Sequence, residues 1–178
     1  DVKSTINHMV AKEETVNEKW SQVQNVYQRR ADLVGNLVET VKGASDFEKS
    51  TLTEITEARS RVGGVNLTAD ALKDDEAMAR FAQAQGQLSS ALSRLMVVAE
   101  NYPQLRATQA YRDLMTQLEG TENRIAVERK RYNEAVKSYN TYIRSFPNNI
   151  YANLLGYEKR AYFEAEQGAE NAPKVSFD

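Results

Sequence analysis

The segment from Tyr111 to Ile143 constrains this chain more than any other. Positions 111, 115, 118, 122, 125, 129, 132, 136, 139 and 143 read Tyr, Met, Leu, Glu, Ile, Arg, Tyr, Val, Tyr and Ile. Spacings that alternate four and three put these side chains along one seam of a helix. Two of them are ionic, Glu122 and Arg129, two turns apart on the same face. A seam that carries charge has to meet partners on neighbouring helices, because a buried charge left alone is strongly destabilising.

The start of the chain repeats the pattern. Ile6, Met9, Glu13, Val16, Trp20, Val23, Tyr27, Arg30, Val34, Leu37 and Val41 form a second seam. It predicts one helix over 3–42, roughly 60 Å long at about 1.5 Å per residue. This seam also holds an acid and a base, Glu13 and Arg30. The expectation is that Glu13 or Arg30 meets Arg129 or Glu122 across a helix interface. The alternative is that each charge sits at a seam edge and reaches water. Gly35 lies inside this helix without breaking its register, and Gly43 marks a bend or an end. Phe47, Leu52, Ile55, Ala58 and Val62 continue a helical face to Gly63 and Gly64. A break at 43 and a run to 62 are both compatible with the pattern, since a glycine costs a helix only ~1 kcal/mol.

A third seam runs through Met78, Phe81, Gln85, Leu88, Leu92, Leu95, Ala99 and Tyr102, and Pro103 ends it. Residues 63–74 read as a loop in which Thr68, Asp70 and Asp74 are candidate caps. Thr108 or a neighbour starts the organising helix, and SFPNN at 145–149 turns the chain. A short helix over 150–155 closes at Gly156. Beyond it periodicity is lost, although Tyr157, Tyr162, Phe163, Val175 and Phe177 still supply apolar groups. The expected fold is all-α: an antiparallel bundle of three to four long helices over 1–156, with an irregular tail over 157–178 that packs on the bundle or stays free for a partner.

Composition narrows the chemistry. The chain has 27% charged residues, 3 Pro and 8 Gly, which suits long helices, and its net charge of -2 gives no reason to bind nucleic acid. It has no cysteine and one histidine, His8. That rules out thiol chemistry and a di-iron site built on paired Glu-x-x-His motifs, and it leaves zinc without ligands. A Ser/His/Asp triad would have only His8 as base. Asp74 with Asp75 and Glu13 with Glu14 read as solvated helix faces. The bases between Arg124 and Tyr132 are interleaved with Glu122, Glu128 and Glu134. No apolar run approaches the ~20 residues of a membrane-spanning helix. The expectation is no enzyme, no cofactor and no metal.

The strings WSQVQNVYQRRADLVGNLVETVKG, ALSRLMVVAENYPQLRA, LEGTENRIAVERKRYNEAV and YNTYIRSFPNNI, in this order, resemble the LemA family of bacterial membrane-anchored proteins. The resemblance implies an all-helical antiparallel bundle behind an N-terminal membrane segment, a transmembrane helix or a lipoprotein-type signal, that precedes the motif seen here as INHMV. One position departs from it: the family typically has proline where this chain has Gly35, and a proline would kink the first helix. The family has no established biochemical activity, so the resemblance implies no catalytic residues. It implies a scaffold or protein-interaction module of the bacterial envelope, on the extracytoplasmic side, binding membrane proteins or copies of itself. Residues placed to carry such interactions, or to fix helix register as buried polar groups, are Glu13, Arg29, Arg30, Asp32, Asn36, Glu122, Asn123, Arg129 and Asn133. Two rival readings are a carrier of an apolar ligand between the helices and an enzyme built on carboxylates.

Overall fold

The computed structural model describes residues 1–44 and 46–163. It is all-α, with no strand among the described residues. Helix α1 (Val2–Lys42) rises, α2 (Lys49–Gly63) descends and α3 (Asp75–Ala99) rises. After the short α4 (Pro103–Arg106), α5 (Gln109–Arg144) descends, and α6 (Asn148–Leu155) closes the helical part. A single 3-10 turn, Asp70–Lys73, interrupts the loop before α3.

Local chemistry accounts for the boundaries. Asp1 caps α1 through the N–H of Lys3, Asp74 caps α3 through Glu76, and Thr108 caps α5 through Tyr111. The first helix ends at Lys42, with Gly43 as its C-cap, so of the two readings the break wins. The ring of Tyr102 packs on Phe47 and its hydroxyl donates to the Asp46 carbonyl at 2.7 Å, which fixes the turn between α1 and α2. Gly156 adopts φ +78°, the left-handed C-cap expected from its position after α6.

Helix α1 runs on through Gly35, and the missing side chain there has a tertiary use. The Arg59 guanidinium of α2 lies over this glycine, and its Nε donates to the Ala31 carbonyl at 2.8 Å. A Cβ at 35 would come within 2.9 Å of Arg59 Nη2. Gly35→Ala therefore trades a helix-propensity gain of ~1 kcal/mol for the loss of a hydrogen bond worth about the same. Urea unfolding should show a net change within about 0.5 kcal/mol. The same substitution made in an Arg59→Ala background should stabilise by about 1 kcal/mol.

The core is split along its length. Met9 to Tyr27 of α1, Ala77 to Ala82 of α3 and Ile125 to Ile143 of α5 form one apolar cluster, together with Leu72 and Phe163. Leu33 to Val41 of α1, the inner face of α2, Ala84 to Ala99 of α3 and Tyr111 to Leu118 of α5 form the other. The second is a four-helix bundle. In the first, α2 is absent, and its place is taken by the loop before α3 and by residues 157–163. These residues of the tail are extended and lie against the bundle; 164–178, with Val175 and Phe177, fall outside the described residues.

Candidate functional site

Between the two apolar clusters sits one buried charge. Arg30 has no exposed surface. Its Nη1 donates to Ser89 Oγ at 2.8 Å and to Glu122 Oε1 at 3.2 Å. Its Nη2 donates to the Gln85 carbonyl at 3.0 Å and to Gln85 Oε1 at 2.9 Å. The guanidinium also stacks on the Tyr27 ring, 5.0 Å from its centroid. One side chain thus ties α1 to α3 and α5 at a single level. Charge-assisted bonds to several partners are what allow an arginine to be buried at all. A slide of α3 or α5 by one turn would bring apolar side chains such as Phe81, Leu118 or Ile125 toward Arg30.

A second ionic centre forms at the other level. Residues 157–163 run along α5, antiparallel to it, as an extended strap whose backbone is read by two asparagines. Asn133 Nδ2 donates to the Phe163 carbonyl and its Oδ1 accepts from the Phe163 N–H. Asn140 makes the same reciprocal pair with Arg160. The hydroxyls of Tyr132 and Tyr139 donate to the carbonyls of Ala161 and Glu158, and the Ala161 N–H donates to Leu72. Two side chains anchor the strap. Phe163 enters a cage of Trp20, Tyr27 and Phe81, with ring centroids 5.7–6.1 Å away. Arg160, 4% exposed, reaches Glu13 Oε2 at 2.8 Å and lies over the Tyr139 ring.

Burial raises both tyrosine hydroxyls above the ordinary phenol range, against the opposing pull of Arg160; Tyr139 is pushed up to about 12 and Tyr132 higher still. The folded state therefore holds these protons after the unfolded chain has released its own near pH 10. Their contribution is complete below pH 10 and is lost as pH rises through the folded values. Stability followed by urea unfolding should fall between about pH 10 and 12, and Tyr139→Phe should flatten that fall.

The family model for the LemA family matches residues 19–177. The chain belongs to the LemA family. Magnetosome protein MamQ 2 of Paramagnetospirillum magneticum is 29% identical over 96% of this chain and 68% of its own length. Magnetosome protein MamQ of Magnetospirillum gryphiswaldense is 28% identical over the same shares. Protein LemA of Metamycoplasma hominis is 26% identical over 90% of this chain and 69% of its own length.

In this LemA-family chain the candidate polar residues separate by position. Arg30 and Glu122 meet. Glu13 meets neither Glu122 nor Arg129; in the antiparallel pair its level on α5 is that of Ser138, which bonds the neighbouring Lys12, and its partner is Arg160 of the strap. Arg129 is half-buried and makes no ion pair among the described residues. The acid buried beside it is Glu128, 5% exposed and paired with Arg131 at 3.0 Å. Asn133 holds the strap. Arg29 bonds Gln117 across the α1–α5 edge at 3.1 Å. Asp32, Asn36 and Asn123 are exposed, with Asp32 accepting from Gln28 one turn earlier. Gln85, Ser89, Asn140, Tyr139 and Arg160 complete the two centres. Three of them left a trace in the sequence: Tyr139 lies in the α5 seam, Gln85 is the one polar member of its seam beside Tyr102, and Asn140 follows Asn133 by two helical turns.

No group of three or more His, Asp or Glu side chains that could hold a metal occurs among the described residues, nor is any helix there long and apolar enough to cross a membrane. A cleft of about 270 Å³ opens between α1, α2 and α3 and is lined in part by Gln24, Gln28, Arg59, Asn66 and Gln85. Its wall is largely polar.

Proposed function

We propose that this chain is the rigid helical body of a non-enzymatic scaffold of the bacterial envelope. A segment preceding α1 holds it at the membrane, and it acts by binding other proteins, copies of itself included. The observation that carries the reading is the use made of Arg30. Its guanidinium is spent on side chains and a carbonyl from two other helices and fixes their register, instead of facing a cleft where a substrate could sit. The strap does the same at the other level. Two pins spaced along helices of roughly 50–60 Å make a body that holds partners at a set distance. The magnetosome relatives support a membrane setting, and on the family resemblance the bundle lies on the extracytoplasmic side.

The polar wall of the cleft between α1, α2 and α3 suits a surface recess better than an apolar carrier channel, which would need a continuous greasy lining. The test is fractionation of the full-length protein, followed by light scattering in detergent over a concentration series and by protease treatment of spheroplasts. Membrane recovery, a defined oligomer or a captured envelope partner, and protease access from outside are expected. Recovery in the soluble fraction would overturn the tether. A monomer that captures no partner would overturn the scaffold.

A further inference from the structure

From Ser145 to Tyr157 the sequence SFPNNIYANLLGY carries no charge, in a chain where 27% of residues are charged. In the structure this stretch is the turn after α5 together with α6. It exposes Phe146 (81%), Leu154 (79%), Leu155 (52%) and Ile150 (47%). Ile150 and Leu154, four residues apart, share one face of α6, and Phe146 protrudes from the turn just before it. Ala152 points the opposite way and is buried, while Tyr151 is half-buried between the two sides.

The location adds a second observation. Tyr142, one turn before Phe146, donates to the Thr5 carbonyl, and its ring meets His8. The uncharged tip therefore lies at the end of the bundle that holds the first turns of α1. Exposed charges border it, three bases and two acids: Arg144 before, Glu158 and Lys159 after, and Asp1 and Lys3 at the start of α1. Apolar and aromatic side chains flanked by bases are the pattern of an interfacial membrane segment, where the bases reach the phosphates while the apolar groups enter the acyl boundary.

We infer that the α5–α6 tip is a lipid-contact surface that dips into the headgroup region of the membrane. The orientation rests on the tether proposed above, which would bring this end closest to the bilayer. Lipid is the occupant that fits. Four protruding side chains fall well short of the roughly 800 Å² per partner that a stable protein interface buries, whereas a fluid bilayer admits a protruding corner.

The experiment is flotation of residues 1–178, which carry no spanning helix among the described residues, with vesicles of phosphatidylcholine alone and with ~30% phosphatidylglycerol. The apolar contact should give measurable binding to both, stronger to the anionic vesicles. Combined F146S, I150S and L154S substitutions, all at exposed positions so that the helical signal should persist, should lower the bound fraction about tenfold on both.

Absence of binding to either vesicle would overturn the inference while leaving the tether, which is read by fractionation, untouched. Binding that survives the triple substitution but vanishes at high salt would also overturn it, by assigning attachment to charge alone. A triple substitution that dissociates an oligomer and leaves vesicle binding unchanged would assign the tip to a protein interface instead.

Discussion

Arg30→Ala should lower the unfolding free energy by about 3–5 kcal/mol, enough to move the melting temperature by roughly 6–20 °C in a chain of this length. The magnitude follows from what the substitution leaves behind. Glu122 keeps 34% of its side chain exposed and can return to water. Gln85 cannot, being 4% exposed, and loses the donor to both its carbonyl and its Oε1. A large side chain also disappears from a site with no exposed surface, between two well-packed apolar clusters, so a cavity adds to the unmet hydrogen bonds. Arg30→Met should cost less because it fills the space. Adding Glu122→Gln should recover little, because Glu122 already reaches water while Gln85 still lacks its donor. Guanidinium unfolding of the single and double variants reads the difference. An Arg30→Ala variant as stable as the parent would mean that the layer does not hold the helices in register.

Phe163→Ala should release the strap. Removing a caged phenylalanine costs about 3–5 kcal/mol when the surrounding structure stays in place. Here the segment has another option, which is to lift away from α5 and uncover Trp20, Tyr27 and Phe81. The expected result is thus chiefly local. The N–H groups of Arg160, Ala161 and Phe163, which donate to Asn140, Leu72 and Asn133, should exchange about a hundredfold to a thousandfold faster. Amides in the middle of α5 should change much less. Asn133→Ala should show the same pattern with a smaller amplitude, since it removes two hydrogen bonds worth about 1 kcal/mol each. Uniform acceleration across the chain would mean that the strap is inseparable from the cooperative core.

The long helices are legible in the sequence because each buries a stripe against a neighbour, and a stripe on a helix has a period that can be counted. Met78, Phe81, Gln85, Leu88, Leu92, Leu95 and Ala99 are all buried as their spacing requires. The same counting misplaces a charge on α5. The buried face is wider than a single line of side chains, so at two levels of α5 the residue beside the seam is the more buried one, Thr121 beside Glu122 and Glu128 beside Arg129, while the seam itself resumes at Tyr132, Val136, Tyr139 and Ile143. Glu13's partner escapes for another reason. Arg160 lies in an extended segment, where side-chain direction is set by tertiary contacts and no helical period marks it. The strap carries only Phe163 and its tyrosines as a sign that it is buried, and although Asn133 stands out as a polar candidate with Asn140 two turns on, nothing in their spacing shows that what they bond is backbone.

Asn133 and Asn140 also decide how freely the strap can vary. They bond to peptide groups and not to side chains, so they accept whatever residue the chain presents, provided it stays extended. A saturation scan of 157–163 should therefore find two intolerant positions, Arg160 and Phe163, and a third restricted to small residues at Ala161, which is 6% exposed. Lys159 and Tyr162, both exposed, should admit nearly any substitution except proline. Such a segment can keep its shape while its spelling changes.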